Sequence, residues 1–345
     1  RYRRSTSPAR LRSYRVLRKR FRALAPDHPV PDVVVAAIPS LEWADAAIDY
    51  GRALQVPVVV DVRDLWPDVF PSALPRGFRS VGRLLLTPYA RLARRVCQDA
   101  DALSAISEGH LEWALRLSGR ERTSWDKATP LGYEPPKLTE QQFQRELTAL
   151  RRRGVDPGRP ICYFAGALER HHDLVTVIDA ARRIQAEGRL DVQFVLCGGG
   201  SQLSSLVRAA ERVRDVHMLG WVDPPTLQTA ARIAQVGLCA YSRGAKMGLG
   251  NKAYEYMAGR LALASNLPGE LTRLIDEHQC GVHYEAGSSA SLAKCLQELY
   301  GDRVALERIR DNARNLWRQH YRSRELYARF AERLELLHAK HRVAA

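Results

Sequence analysis

The stretch YSRGAKMGLGNKAYEYMAGRLALASNLPGE, at positions 241–270, decides the fold of this chain. The apolar run that leads into it, at 236–241, predicts a buried strand. A glycine-rich turn follows, and Asn251, a favoured N-cap residue, predicts the start of a helix that ends at Gly259. A second apolar run at 261–265 predicts another strand. The stretch therefore predicts a glycine loop that leads from the end of a strand into a helix.

Two charged residues, Lys252 and Glu255, stand in the first turns of this predicted helix. The free N–H groups and the partial positive charge of a helix N-terminus bind anions, and a lysine strengthens such a site. A carboxylate there repels phosphate, but it accepts hydrogen bonds from the paired hydroxyls of a sugar. A phosphate and a ribose together indicate a nucleotide ligand.

The run GNKAYEYMAGRLALAS…LPGE resembles the donor-nucleotide segment of family 4 glycosyltransferases of the GT-B type. It is most similar to a bacterial branch that acts on surface polysaccharides and carries an NK-x-x-EYMA motif. The resemblance covers roughly residues 30–330. It implies an α/β fold with two Rossmann-like domains that face each other across a cleft.

The same resemblance implies an enzyme that moves a sugar from a nucleotide-diphosphate donor to a hydroxyl of a lipid-linked saccharide acceptor. Retention of the anomeric configuration, and no metal ion or other cofactor, are expected from the family. A non-hydrolysing nucleotide-sugar epimerase has the same fold and is an alternative. A basic, non-enzymatic nucleic-acid-binding protein is the other alternative, but the chain lacks interleaved aromatics in its basic clusters and any recognisable nucleic-acid module.

Continuous apolar runs alternate with helical patterns along the whole chain, which predicts parallel sheets. We expect an acceptor-side domain at 1–133, a connector at 134–158, a nucleotide-sugar-binding domain at 159–315 and a terminal helix at 316–345 that returns toward the first domain. Only about four strands are visible before residue 135. The first domain is therefore expected to be partial, with roughly 60–90 residues absent upstream, at about 30 residues per βαβ unit.

Polar residues follow the predicted strand at 56–61, in the run DVRDLWPD. Such residues, at the carboxyl end of a parallel strand, lie where these sheets bind ligands. The resemblance places Arg63 and Asp64 in the catalytic cleft, where Asp64 accepts a proton from the acceptor hydroxyl. The alternative, which is compatible, is an Asp–Arg pair that holds a loop, with Trp66 in the core.

The resemblance also assigns a set of donor-binding residues. The glycines allow close backbone approach, Arg170 and Lys252 contact the diphosphate, Val222 lies by the base, and Glu255 binds the ribose. Relatives often carry an earlier glutamate, in the pattern E-x7-E, where this chain has Met247. Backbone amides of the glycine loop are expected to hold the donor sugar instead. Trp221 is expected to pack against the protein rather than to stack on the base, and the neighbouring His171 and His172 are not expected to bind a metal. The full set is Gly166, Arg170, Gly199, Val222, Gly248, Gly250, Asn251, Lys252 and Glu255.

The net charge of +15 is concentrated in two segments. Residues 1–25 hold ten Lys or Arg and no acid, and residues 76–95 hold six Arg and no acid. Basic, amphipathic segments suit the surface of an anionic membrane. We expect a cytoplasmic protein bound peripherally to the inner face of the cytoplasmic membrane, with no nucleic-acid partner. Exposed basic helices that cover the protein are the alternative.

The six cysteines show no C-x-x-C pattern, and most of them lie within apolar runs. They are therefore expected to be free, buried thiols in a reducing compartment. No run of about 18 uncharged apolar residues occurs, which predicts no transmembrane helix.

Overall fold

The computed structural model describes residues 8–68, 70, 77, 79–245 and 248–344. The chain is divided into two compact units. The first consists of Arg1–Pro130 and Glu325–Ala345. Leu131–Arg324 form the second unit. Met247 and much of the segment 69–78 lie outside the described residues, so the predictions made for them stay predictions.

The first unit contains a four-stranded parallel sheet, whose strands lie in the order β1-β2-β3-β4. Its strands are apolar on both faces because helices cover both, as the continuous apolar runs predict. The core on one face contains Ile38, Val60 and Leu103, which are fully buried. The elements are α1 (Pro8–Leu24), β1 (Val34–Ile38), α2 (Leu41–Leu54), β2 (Val58–Val62), α3 (Arg79–Leu85), α4 (Thr87–Asp99), β3 (Ala102–Ala105), α5 (Glu108–Ser118) and β4 (Lys127–Ala128).

The terminal helix of the chain covers the other face of this sheet. Its Leu337 is buried against Val59 and Ala102. Arg333, on the same helix, donates a hydrogen bond to the side chain of Thr129 at 2.7 Å. From Glu325 onward, this helix is part of the first unit.

The second unit contains a six-stranded parallel sheet in the order β10-β9-β8-β5-β6-β7. The chain runs outward from the central β5 through β6 and β7, then returns to the other side of β5 at β8. The order therefore reverses between β5 and β8, and ligands bind beyond the carboxyl ends of strands at such a switch point. The elements are α6 (Glu140–Arg152), β5 (Ile161–Ala165), α7 (Leu174–Glu187), β6 (Gln193–Cys197), α8 (Leu203–Ala210), β7 (Val216–Gly220), α9 (Pro224–Ile233), β8 (Val236–Cys239), α10 (Asn251–Ala258), β9 (Ala262–Ser265), α11 (Glu270–His278), β10 (Gly281–His283), α12 (Ser289–Gly301), α13 (Arg303–Leu316) and a π-helical turn (Trp317–Tyr321). The terminal helix, α14 (Ser323–Ala344), follows this turn and belongs to the first unit from Glu325 onward.

The predicted α/β class with parallel sheets is confirmed. The prediction for Trp221 is wrong, because its side chain is 79% exposed in the turn after β7. Trp66 is buried, as predicted, and its ring makes edge contacts with Phe70 and Tyr89. All six cysteines are free thiols, and only Cys295 is not fully buried. In the described ranges, no helix has the length and apolar character needed to span a membrane.

Candidate functional site

Two loops of the second unit touch at the carboxyl end of β5. Gly166 follows β5, with φ +153°, and Gly198 follows β6, with φ +142°. A Cβ on Gly198 would lie 1.8 Å from the carbonyl oxygen of Gly166, so the approach excludes any side chain there. The backbone N–H of Gly166 donates to the carbonyl of Cys197 at 3.0 Å. The loops therefore form a floor of backbone at the switch point.

Helix α10 begins one position earlier than the predicted N-cap residue, Asn251, suggested. Gly250 is the N-cap and Asn251 is the first helical residue. Because glycine has no side chain, no side-chain hydrogen bond caps the first turn. The N–H of Ala253 donates to the carbonyl of Gly250 at 3.0 Å. The N–H groups of Asn251 and Lys252 have no acceptor among the described residues, as in the anion sites of helix N-termini.

Lys252, in the first turn of α10, reaches back over the glycine floor. A Cβ on Gly166 would lie 2.1 Å from Lys252 Nζ, so only glycine leaves room for the ammonium. The ammonium lies 4.8 Å from the centre of the Phe164 ring. Among the described residues, no carboxylate lies within 4.0 Å of it. Burial lowers the pKa of Lys252, and Cys239 and Glu255 oppose that shift.

Glu255 lies about one turn further along α10. Burial raises the pKa of its carboxyl group, and the nearby Lys252 opposes this shift. In the part of the chain that the structure describes, the carboxylate of Glu255 makes no hydrogen bond or ion pair. Lys252 and Glu255 are thus a half-buried cation and a half-buried anion whose charges interact without a direct contact between the two groups.

Two histidines of the loop after β5 lie beside Lys252, and the sequence analysis did not assign them a role. The ring of His172 makes an edge contact with Phe164 and a tilted contact with Tyr241, with ring centroids 5.2 Å and 5.4 Å away. Its Nδ1–H donates to the carbonyl of Ala167 at 2.8 Å. Burial, then the charge of Lys252, lowers its pKa to about 4. His172 is therefore neutral at pH 7, and its ring forms one side of this site.

His171 packs on His172, with ring centroids 4.0 Å apart. Its pKa is lowered by burial and by Lys252. Arg170, the predicted phosphate ligand, has an exposed side chain that makes no hydrogen bond or ion pair with another described residue, and its carbonyl accepts a hydrogen bond from Ser242. Its role in binding the diphosphate stays a prediction.

The remaining predicted donor residues lie at nearby strand ends of the second unit. Gly199 accepts a hydrogen bond from the N–H of Leu168 at 2.9 Å. Val222 follows β7 and packs, half-buried, against the core that includes Tyr256. Gly248 is half-buried and directly precedes the N-terminal turn of α10. The role of each in binding a donor stays a prediction.

The predicted catalytic residues lie in the first unit, at the end of β2. Arg63 Nε donates to the buried carboxylate of Asp61 at 2.5 Å, which is the loop-holding pair considered above. Asp64 is half-buried, and its charge raises the pKa of His110 against the larger, lowering effect of burial. His110 Nδ1 lies 2.9 Å from the hydroxyl of Ser107. His110 is a further candidate for a catalytic residue. In the sequence, the S-x-x-H run after β3 could have indicated it.

No group of three or more His, Cys, Asp or Glu side chains in the described ranges is arranged to hold a metal ion.

Part of the chain is similar to known glycosyl transferases. Residues 159–302 match the family model described as "Glycosyl transferases group 1". The chain is also 29% identical over 167 residues to the alpha-maltose-1-phosphate synthase of Mycobacterium tuberculosis. That match covers 45% of this chain and 42% of the relative, so less than half of the relative's length is spanned.

Solved structures with the same fold cover most of the chain. The Anabaena protein HepE in complex with UDP has a TM-score of 0.70 at 14% identity, over 92% of this chain and 82% of its own. The sucrose-phosphate synthase of Thermosynechococcus elongatus has a TM-score of 0.71 at 15% identity, over 94% and 78%. A trehalose-6-phosphate synthase from Burkholderia multivorans has a TM-score of 0.69 at 15% identity, over 97% and 78%. The two-domain GT-B fold is therefore confirmed.

Proposed function

We propose that this protein is a glycosyltransferase that moves a sugar from a nucleotide-diphosphate donor to a hydroxyl acceptor. The observation that carries the proposal is the half-buried Lys252 ammonium at the uncapped N-terminus of α10, without an ion-pair partner among the described residues. A buried charge without a partner is costly, and a ligand of opposite charge offsets that cost. A diphosphate has the charge and the size to meet both the ammonium and the free N–H groups.

Glu255 completes the donor site in this proposal. A ribose attached to the diphosphate presents two hydroxyl donors to the carboxylate. During transfer, negative charge grows on the leaving phosphate, and Lys252 with the helix N-terminus stabilises it. The matching family model over 159–302 and the UDP-bound structure of the same fold support this assignment.

The acceptor side of the reaction is assigned to the end of β2. Asp64, with Arg63 and His110 near it, accepts the proton of the attacking hydroxyl. Retention of configuration and a reaction without a metal ion belong to the proposal through the resemblance of the motifs. So does the assignment to surface-polysaccharide synthesis, with a lipid-linked saccharide as acceptor.

The membrane part of the proposal rests on α3 and α4 rather than on α1. Basic residues of α1 form ion pairs, since Arg18 lies 2.9 Å from Asp45. On α3, by contrast, Leu84 and Leu85 are 74% and 73% exposed. Arg91 and Arg94 of α4 are exposed and form no ion pair with a described residue. Exposed leucines beside unpaired arginines suit the headgroup region of an anionic membrane.

A thermal-shift screen with UDP, GDP, ADP and their monophosphates tests the donor site. A ligand that binds the native state raises the melting temperature. We expect one diphosphate to give a selective shift that is lost in Lys252→Ala and Glu255→Ala. Lys294→Ala is the matched control, because Lys294 is exposed on α12, where it pairs with Glu298. No shift with any diphosphate, or the same shift in all variants, would contradict the proposal.

The epimerase alternative predicts conversion of the donor sugar without an acceptor. Incubation with nucleotide sugars and analysis of the sugar products separates the two activities. An isomerised donor with no acceptor present would favour the epimerase.

Flotation with phosphatidylglycerol vesicles tests the membrane contact. We expect Leu84→Ser with Leu85→Ser to reduce binding. Val304→Ser, at a position 82% exposed in the second unit, should leave binding unchanged. Binding to a nucleic acid at physiological salt, without vesicle binding, would favour the nucleic-acid alternative.

A further inference from the structure

Tyr133, just after the start of the second unit, is fixed by its backbone on both sides. Its N–H donates to the carbonyl of Tyr321 at 2.9 Å. Its carbonyl accepts a hydrogen bond from the indole N–H of Trp317 at 2.9 Å. The π-helical turn therefore sets the position of Tyr133 independently of its own side chain.

The phenol of Tyr133 is held at its oxygen by α9. Gln228 Nε2 donates to this oxygen at 3.1 Å, so the oxygen acts as an acceptor in that bond. Among the described residues, none accepts a hydrogen bond from the hydroxyl in return. The phenol proton is therefore available to a ligand.

Two chains of contact link the surroundings of Tyr133 to the residues that flank Glu255. In the first, the ring of Tyr254 lies 5.0 Å from that of Tyr321, whose carbonyl accepts the hydrogen bond from Tyr133. Tyr254, which precedes Glu255 on α10, is thus connected to the surroundings of Tyr133.

The second chain of contact runs through β5. The ring of Tyr256 lies 5.9 Å from that of Tyr163, and the Tyr163 hydroxyl donates to the carbonyl of Leu227, next to Gln228. In agreement, the pKa of Tyr133 is raised by burial and also by the charge of Glu255, while Gln228 opposes the shift. The two chains of contact therefore connect Tyr133 to both neighbours of Glu255 on α10, and the Tyr133 hydroxyl makes no hydrogen bond with the Glu255 carboxylate.

We infer that Tyr133 is a specificity-determining residue that donates a hydrogen bond to a ribose hydroxyl of the nucleotide, opposite Glu255. This inference rests on the proposed function. A ribose hydroxyl that donates its proton to Glu255 keeps an oxygen lone pair for the phenol proton. Gln228 orients the phenol so that its proton points away from α9. A nucleotide without that hydroxyl leaves the phenol proton unpaired, which lowers its affinity.

Calorimetric titration of wild type and Tyr133→Phe with UDP, 2′-deoxy-UDP and 3′-deoxy-UDP tests the inference. If another base gives the stronger thermal shift, the corresponding set is used. We expect wild type to prefer the ribonucleotide over one of the deoxy analogues. In Tyr133→Phe that preference should fall about three- to tenfold, because one neutral hydrogen bond is lost. The variant keeps both backbone contacts of residue 133, so its fold is maintained.

Tyr163→Phe is the matched control, since it removes a hydroxyl of the same cluster whose proton already has an acceptor. The preference of Tyr163→Phe for the ribonucleotide over the deoxy analogues should equal that of wild type. If Tyr133→Phe binds all three nucleotides with an unchanged preference, the inference is wrong and the proposed function stands. If wild type binds no nucleoside diphosphate, both are wrong.

Discussion

Both units carry charged residues at the ends of sheet strands, but they leave these charges in different states. In the first unit, Arg63 donates to the buried Asp61 at the carboxyl end of β2. Arg120 lies 3.1 Å from the buried Asp126 at the amino ends of β3 and β4. In the second unit, Lys252 and Glu255 are half-buried, and neither has a direct partner among the described residues. The charges with a direct partner stabilise the fold, whereas the charges without one are those that we propose to bind a ligand.

This distinction follows from the cost of burying charge. A buried ion whose partner is removed destabilises the fold by several kcal/mol. A protein keeps a half-buried charge without a partner only where other stability offsets that cost. The site at α10 is such a place, because backbone contacts hold its glycine floor whether or not a ligand is bound.

Arg120→Met should have the largest effect on stability. Asp126 is fully buried, and Arg120 supplies two hydrogen bonds to its carboxylate. Removing the cation should destabilise the first unit by about 3–5 kcal/mol. Hydrogen exchange of peptides from β3 measures the change, since Leu103 N–H donates to the same carboxylate.

Arg116→Met is the control for this variant. Arg116 pairs with Glu112 at 3.5 Å on an exposed face of α5, and such pairs contribute about 0–1 kcal/mol. Equal losses in the two variants would mean that the Arg120–Asp126 pair is not a stabilising feature of the first unit.

Lys252→Met should change binding rather than stability. Removing the ammonium relieves a burial cost and also removes a charge that favours ionised Glu255, so the two effects oppose each other. We expect the unfolding free energy to stay within about 1 kcal/mol of wild type. The affinity for a nucleoside diphosphate should fall about 10- to 150-fold, for a charged hydrogen bond of about 1.5–3 kcal/mol. A loss of stability like that of Arg120→Met would place Lys252 among the structural charges.

Much of the fold could be predicted from the sequence because buried parallel strands are continuous apolar runs. The runs before Gly166 and Gly198, for example, become β5 and β6. The placement of Lys252 and Glu255 on one side of α10 was equally visible, since residues three apart are neighbours on a helix surface. These features depend on local spacing alone.

The features that were missed depend on neighbours distant in the chain. His172 is buried and neutral because its ring is packed against Phe164 and Tyr241. Trp221 is apolar enough to be buried, but the turn after β7 leaves it in solvent. The cap of α10 moved from Asn251 to Gly250, because Gly250 has extended backbone angles and Asn251 already belongs to the helix. Local preference does not determine any of these.

The acid stability of the second unit should depend on His172. Its pKa is about 4 in the folded protein, below the ordinary value of 6.5, so the unfolded chain takes up the proton first. The stability that neutral His172 allows is therefore present above about pH 6.5 and is lost as the pH falls toward 4. Melting temperatures between pH 7 and pH 4 should fall less steeply in His172→Gln. An identical slope in both proteins would contradict the lowered pKa.

Arg63→Ala should have the smallest effect on stability and gives the finest test of the comparison. Its guanidinium pairs with Asp61, but the side chain is 52% exposed, and such pairs contribute little to stability. We expect a change of at most about 1 kcal/mol in the unfolding free energy. If Arg63 also acts at the acceptor, as the proposed function requires, consumption of the donor sugar should fall about tenfold or more at saturating donor. Lost stability with normal turnover would instead assign Arg63 to the loop, and the catalytic role at the end of β2 would then rest on Asp64 and His110.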